Sequence, residues 1–109
     1  MVVFAEIDDL AARIAHDFDP DKIILFGSHA DGTQRLNSDV DLLIVLPVEG
    51  KCWRKAAEIR GRVNCRFPLD LLVRTPDEVR WRVAAGDPFL REVTERGKVL
   101  HAKDYSGMG

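Results

Sequence analysis

The sequence is poor in aromatic residues, in cysteine and, over its first half, in positive charge. Aromatics make up 7% of the 109 residues, too few for an extended base-stacking platform on single-stranded nucleic acid. Cys52 and Cys65 are the two cysteines, and two do not make a disulfide framework. Apolar runs stop well short of the roughly 20 residues that a membrane span needs, so no membrane association is expected. The amino terminus lacks a basic-then-apolar leader pattern, which sets the expected location as cytoplasmic. Residues 1–50 carry three Lys/Arg against ten Asp/Glu, net −7. Residues 51–109 carry thirteen against eight, net +5, so the formal total is −2. A protein that tracks long nucleic acid is basic over its contact face, and this composition argues against such a partner. The acidic half is either a solvated surface or a metal site.

What is present suits one small core: 46% hydrophobic and 31% charged residues in 12.3 kDa. No repeat or linker interrupts the pattern. We expect one domain over 1–103 and a frayed tail at 104–109. Phe4, Ile7, Leu10, Ala11, Ile14 and Phe18 recur at spacings of three and four, predicting a helix over 3–17 that ends before Pro20. Lys22-Ile23-Ile24-Leu25-Phe26, stopped by Gly27, reads as a buried strand. Residues 27–38 read as a loop or short helix, and 40–46 as a central strand closed by Pro47. Cys52, Ala56, Ile59 and Val63 predict a helix over 51–63, and 69–73 a third strand. Thr75-Pro76-Asp77-Glu78 fits a capping box, with Thr as N-cap, Pro at the first helical position and Glu at the third. That helix should end near Gly86. Asp87-Pro88 restarts another, which Gly97 stops, and 98–101 reads as a last strand. The expected class is α+β (α/β-type): a small mixed sheet with helices packed on it.

Asp39 and Asp41 carry the first chemical signal. Asp is depleted in strands, and a two-residue spacing sends both carboxylates to one face. The bland alternative is a turn at Ser38-Asp39 and a strand-edge charge at Asp41. Asp70 interrupts the apolar run Pro68-Leu69-Asp70-Leu71-Leu72-Val73. If the two strands are neighbours, three carboxylates converge on one patch, suited to one or two Mg²⁺ ions with open positions for phosphate and water. Gly27-Ser28 follows the first strand directly, where a glycine lets the backbone approach a ligand closely and a hydroxyl can hold phosphate. Gly27 to Gly32 followed by Thr33 has the glycine spacing of a Walker A loop, but the lysine that must precede Thr33 is absent. A P-loop is rejected.

Together, Gly27-Ser28, ten intervening residues, Asp39-Val40-Asp41 and the later strand Asp70 resemble the nucleotidyltransferase superfamily that includes DNA polymerase beta and kanamycin nucleotidyltransferase. The stretch from Gly27-Ser28-His29-Ala30-Asp31-Gly32 to Ser38-Asp39-Val40-Asp41-Leu42-Leu43-Ile44-Val45 is most similar to its smallest branch, the minimal nucleotidyltransferases (MNT), MntA-like antitoxins often encoded beside a HEPN-domain protein. The resemblance implies a nucleotidyltransferase fold and transfer of a nucleoside monophosphate from ATP or another NTP to a hydroxyl. It implies that Asp39, Asp41 and Asp70 are catalytic and bind two Mg²⁺ ions, with Asp70 serving the ion that activates the acceptor. Gly27 and Ser28 would hold the β and γ phosphates. Many MNT-like sequences have a basic residue where this chain has Asp31, and Arg35 is the expected substitute in nucleotide binding. The implied partner is a HEPN-domain protein, neutralised as in a toxin–antitoxin pair by AMP transfer to a tyrosine. The length leaves little for an acceptor domain, which also points to an acceptor on another protein. Transfer to a small hydroxylated molecule, or inhibition by binding alone, are the alternatives, and homo-oligomerisation stays open.

Among smaller features, His29 could face phosphate or simply sit half-exposed at a helix start. His16 and His101 read as surface residues, Cys52 as a buried small side chain and Cys65 as a loop thiol. Lys51, Arg54, Lys55, Arg60, Arg62 and Arg66 make a basic segment, ordinarily a solvated face. Trp53 and Trp81 are either core or partner contacts.

Overall fold

The structure is a computed structural model that describes residues 4–35 and 37–103. The tail expected at 104–109 lies outside the described residues. The order is α1 (Phe4–Phe18), β1 (Lys22–Phe26), α2 (Ser28–Asp31), β2 (Val40–Val45), α3 (Cys52–Arg62), β3 (Leu69–Arg74), α4 (Pro76–Ala84), α5 (Pro88–Arg96) and β4 (Lys98–Ala102). Each expected element forms, with ends shifted by a residue or two.

The strands make a mixed sheet in the order β3-β2-β1-β4. β1 is antiparallel to β2 and β4, while β2 and β3 run parallel. A parallel pair needs a crossover rather than a tight turn, and α3 supplies it. Strand parity then sorts the side chains. Ile23, Leu25, Val40, Leu42, Ile44, Leu69, Leu71 and Val73 face α1 and α3, joining Ile7, Leu10, Ile14, Ile59 and Val63 in one buried cluster. Ile24, Leu43 and Val45 face the other way and pack with Leu90 and Val93 of α5, with Phe26, Leu72, Val79 and Val83 alongside.

Local chemistry fixes the helix starts. The Thr75 hydroxyl accepts the Glu78 backbone N–H at 3.1 Å and the Asp87 carboxylate accepts that of Leu90 at 3.0 Å, each cap followed by a proline that has no N–H to satisfy. Gly97 is required for closeness: a Cβ there would run into the Val93 carbonyl and the Ile24 side chain, which lets the end of α5 lie directly on β1.

Several sequence expectations need correction. Cys52 is half-exposed and not fully buried. Trp53 and Trp81, left open between core and surface, are both exposed, at 67% and 60%. His101 is half-buried, and its Nε2 has no hydrogen-bond partner among the described residues. No helix among the described residues is long and apolar enough to cross a membrane.

Candidate active site

The end of the sheet at the start of β2 carries the chemistry. Asp41 and Asp70 are register partners across the parallel β2–β3 pair, and Phe26 is the partner of Asp41 across β1–β2. Because paired residues on adjacent strands point to the same face, Phe26, Asp41 and Asp70 form one row. It lies on the face that packs against α4 and α5, where α5 reaches Phe26 through Phe89 while Asp41 and Asp70 stand outside that apolar cluster. Asp41 is half-buried, whereas Asp39 and Asp70 are exposed.

The carboxylates interact. The Asp41 carboxyl is held above its ordinary value, first by burial, then by the charge of Asp70 and then by that of Asp39; His29 acts in the opposite sense. Among the described residues no three His, Cys, Asp or Glu side chains are gathered tightly enough to enclose a metal ion. The three Asp side chains thus share a patch without closing around a common point, as mutually repelling anions do. Their chemistry nonetheless fits a hard divalent cation: all-oxygen donors, with Asp39 and Asp70 exposed, around a half-buried carboxylate on which burial and like charge outweigh the opposing effect of His29.

Gly27 completes the corner. Its φ of 77° lies in the region that favours glycine, and an added Cβ would collide with Oδ2 of Asp41. The Gly27 backbone therefore abuts the Asp41 carboxylate, and Ser28 begins α2 beside it. The Gly27 carbonyl accepts the N–H groups of Ala30 and Asp31 at 3.1 and 3.2 Å, which sets the tight turn off β1.

Asp31, at the end of α2, and Arg35, in the loop after it, both make local hydrogen bonds. Asp31, where a basic residue is common among MNT-like sequences, accepts the Thr33 hydroxyl at 2.6 Å and the Thr33 N–H at 3.1 Å. The hydroxyl and backbone bonds hold its carboxyl below the ordinary value. Arg35 is exposed; its N–H donates to the Ser38 hydroxyl at 2.7 Å and its carbonyl accepts the Ser38 N–H at 3.1 Å. These bonds shape the approach to Asp39 through the backbone of Arg35.

Two features escaped sequence reading. His29 Nε2 lies 3.2 Å from the Ser38 carbonyl and ties α2 to the loop that delivers Asp39. That pairing spans nine residues of loop and leaves no local pattern. The place of Phe26 at the end of the carboxylate row was available from strand parity, given the β1–β2 register.

With this geometry in view, comparison with known proteins is decisive. The family described as polymerase beta, nucleotidyltransferase, matches residues 8–106. The chain belongs to this family. The nucleotidyltransferase fold recurs in a toxin–antitoxin crystal structure with AMP-PNP, at TM-score 0.59 and 23% identity over 93% of this chain and 77% of that one. The toxin–antitoxin MntA-HpeT in mutant form gives TM-score 0.58 at 18% identity, with the same coverage. A nucleotidyltransferase candidate from Sulfolobus solfataricus gives 0.57 at 20% identity over 71% of this chain and 70% of that one. No curated protein matches the chain. As a polymerase-beta-type nucleotidyltransferase, the chain brings together Gly27, Asp41 and Asp70 at one corner of the sheet.

Proposed function

We propose that this nucleotidyltransferase is of the minimal type and transfers AMP from ATP to a hydroxyl of a protein partner, as the antitoxin of a toxin–antitoxin pair. The observation that carries the reading is the register pairing of Asp41 with Asp70, with the Gly27 backbone against the Asp41 carboxylate. The two toxin–antitoxin neighbours support the setting. The expected partner is a HEPN-domain protein.

In this reading Asp39, Asp41 and Asp70 would hold Mg²⁺, which when bound neutralises charge on the attacking and leaving oxygens of an in-line displacement. Asp70, on β3, marks the side from which the acceptor hydroxyl approaches. Gly27 and Ser28 lie on the β1 side and receive the β and γ phosphates; the missing Cβ of Gly27 lets the backbone come close. Arg35 is the remaining candidate for phosphate contact, reaching it from an exposed loop. Catalysis rests on positioning and charge compensation, because phosphoryl-type transfer asks little covalent chemistry of the protein.

The test is incubation with α-labelled ATP, Mg²⁺ and the product of the adjacent gene. The partner should acquire label, Asp39→Asn should abolish it, and chelation should do the same. A partner that stays unlabelled but is still inhibited would make this chain a binding subunit.

A further inference from the structure

Asp41 and Asp70 are register partners within the sheet, but Asp39 lies one residue before β2, which begins at Val40. On its far side Asp39 is well anchored. The Val40 side chain is fully buried, and the Val40 N–H donates to the Pro68 carbonyl at 2.9 Å. On its near side the hold comes through Ser38. The Ser38 N–H donates to the Arg35 carbonyl at 3.1 Å, its hydroxyl accepts the Arg35 N–H at 2.7 Å, and its carbonyl lies 3.2 Å from Nε2 of His29. A carbonyl only accepts, so Nε2 of His29 carries the hydrogen of that bond. His29 and Ser38 are both half-buried. The Ser38 carbonyl and the Asp39 N–H belong to one planar peptide unit. A donor on that carbonyl therefore sets the plane from which the Asp39 residue departs. Among the described residues, this is the one side-chain hydrogen bond between α2 and the loop segment from Arg35 to Asp39.

We propose that His29 is a positioning residue: its Nε2–H clamps the Ser38–Asp39 peptide and so orients the Asp39 carboxylate for a cation shared with Asp41. This role rests on the nucleotidyl-transfer reading and adds to it a residue that acts through the backbone, without itself holding metal or nucleotide. Three observations carry it. Asp39 is the one carboxylate of the three outside the strand pairing, so its direction needs a support that the sheet gives to Asp41 and Asp70. The other two bonds of Ser38 both go to Arg35, within the same loop, so they shape the loop without tying it to another element. Finally, α2 meets both carboxylates of β2's start. Its N-cap, Gly27, abuts the Asp41 carboxylate, and His29 in its first turn holds the peptide of Asp39. One short turn thus fixes the spacing of the two. Groups that orient a metal ligand from behind commonly matter to the site, their loss costing about 10–100-fold in metal affinity or activity.

Titration of the full chain with Mn²⁺ in the absence of nucleotide, followed by electron paramagnetic resonance, tests this. His29→Gln keeps an amide N–H at about the reach of Nε2. His29→Phe keeps the ring without a donor, and His29→Ala removes both. All three remove the charge that the ring can carry, so comparing them isolates the donor. The Phe and Ala variants should bind Mn²⁺ about tenfold more weakly, the low end of the loss when a ligand's outer partner is removed. His29→Gln should stay within about twofold of the unaltered chain, because the bond is kept. In metal-free ¹⁵N–¹H spectra the Asp39 amide should move in the two donor-free variants and return in His29→Gln, while the Asp70 amide stays in place. Equal Mn²⁺ affinity in all four chains would overturn the clamp and leave the transfer reading intact. Equal weakening in His29→Gln and the donor-free pair would do the same, since side-chain shape and charge would then account for the loss. If the unaltered chain binds no Mn²⁺, the transfer reading fails and the positioning role falls with it.

Discussion

The two faces of the sheet do different work, although the same strands build both. Towards α1 and α3 the alternate residues of β1, β2 and β3 are apolar from end to end, and Ile23, Leu25, Leu42 and Ile44 are completely buried. Towards α4 and α5 the apolar patch is smaller, α4 has no fully buried residue, and the row ends in Phe26, Asp41 and Asp70. A two-residue period separates the roles without separating the segments. Leu42 anchors the core while Asp41 and Leu43, its neighbours, point to the other side. A charged row is tolerable because the opposite face supplies a continuous core behind it.

That contrast can be broken by removing apolar volume from each side. Leu42→Ala should cost about 2–5 kcal/mol, the range for truncating a fully buried leucine. Val83→Ala, on the half-buried α4, should cost about 1 kcal/mol or less, typical of a partly exposed site. Urea unfolding with matched m-values checks both. Equal losses would mean that the α4–α5 face is as much a core as the other.

Gly27→Ala probes the joint between fold and chemistry. With φ 77° and ψ −154°, Gly27 sits in a region that is essentially glycine's alone and costs another residue about 1–3 kcal/mol, and an alanine Cβ must displace the Asp41 carboxylate. A shift of about 1 Å in a catalytic group can cost roughly a hundredfold in rate. The transfer assay should therefore lose about two orders of magnitude while thermal unfolding stays cooperative. A variant with near-normal transfer would remove the Gly27–Asp41 contact from the site's requirements.

Much of this was legible from periodicity, because local patterns report local geometry. The stripe of Phe4, Ile7, Leu10, Ala11 and Ile14, the Thr75 cap and the proline after it, and the Asp39–Asp41 spacing all act within one or two turns of chain. The convergence of Asp70 with Asp41 was conditional on β2 and β3 being neighbours, and only the parallel register settles that they are. Arg35 was legible as a loop cation, but its backbone bonds to Ser38, which shape the approach to Asp39, leave no pattern in the sequence. The exposure of Trp53 and Trp81 depends on how helices seat on the sheet. Residue spacing does not encode that packing.

The smallest expected effect sharpens the contrast most directly, because its sign reverses between the faces. Asp41 has its carboxyl raised above the ordinary value of 3.8 by burial and by Asp70 and Asp39. Below 3.8 the group is protonated whether the chain is folded or not, and it costs nothing. As pH rises from 3.8 through the raised folded value, the unfolded chain releases its proton first, so stability is lost. At pH 7 the metal-free protein thus carries an ionised Asp41 that opposes folding. Asp41→Asn should raise the melting temperature in chelator at pH 7, where Leu42→Ala, one residue away, lowers it. The gain should shrink as pH falls towards 3.8, and saturating Mg²⁺ should narrow it by stabilising the unaltered chain alone. A gain that is the same at every pH would mean that side-chain shape, rather than charge, sets the cost of Asp41.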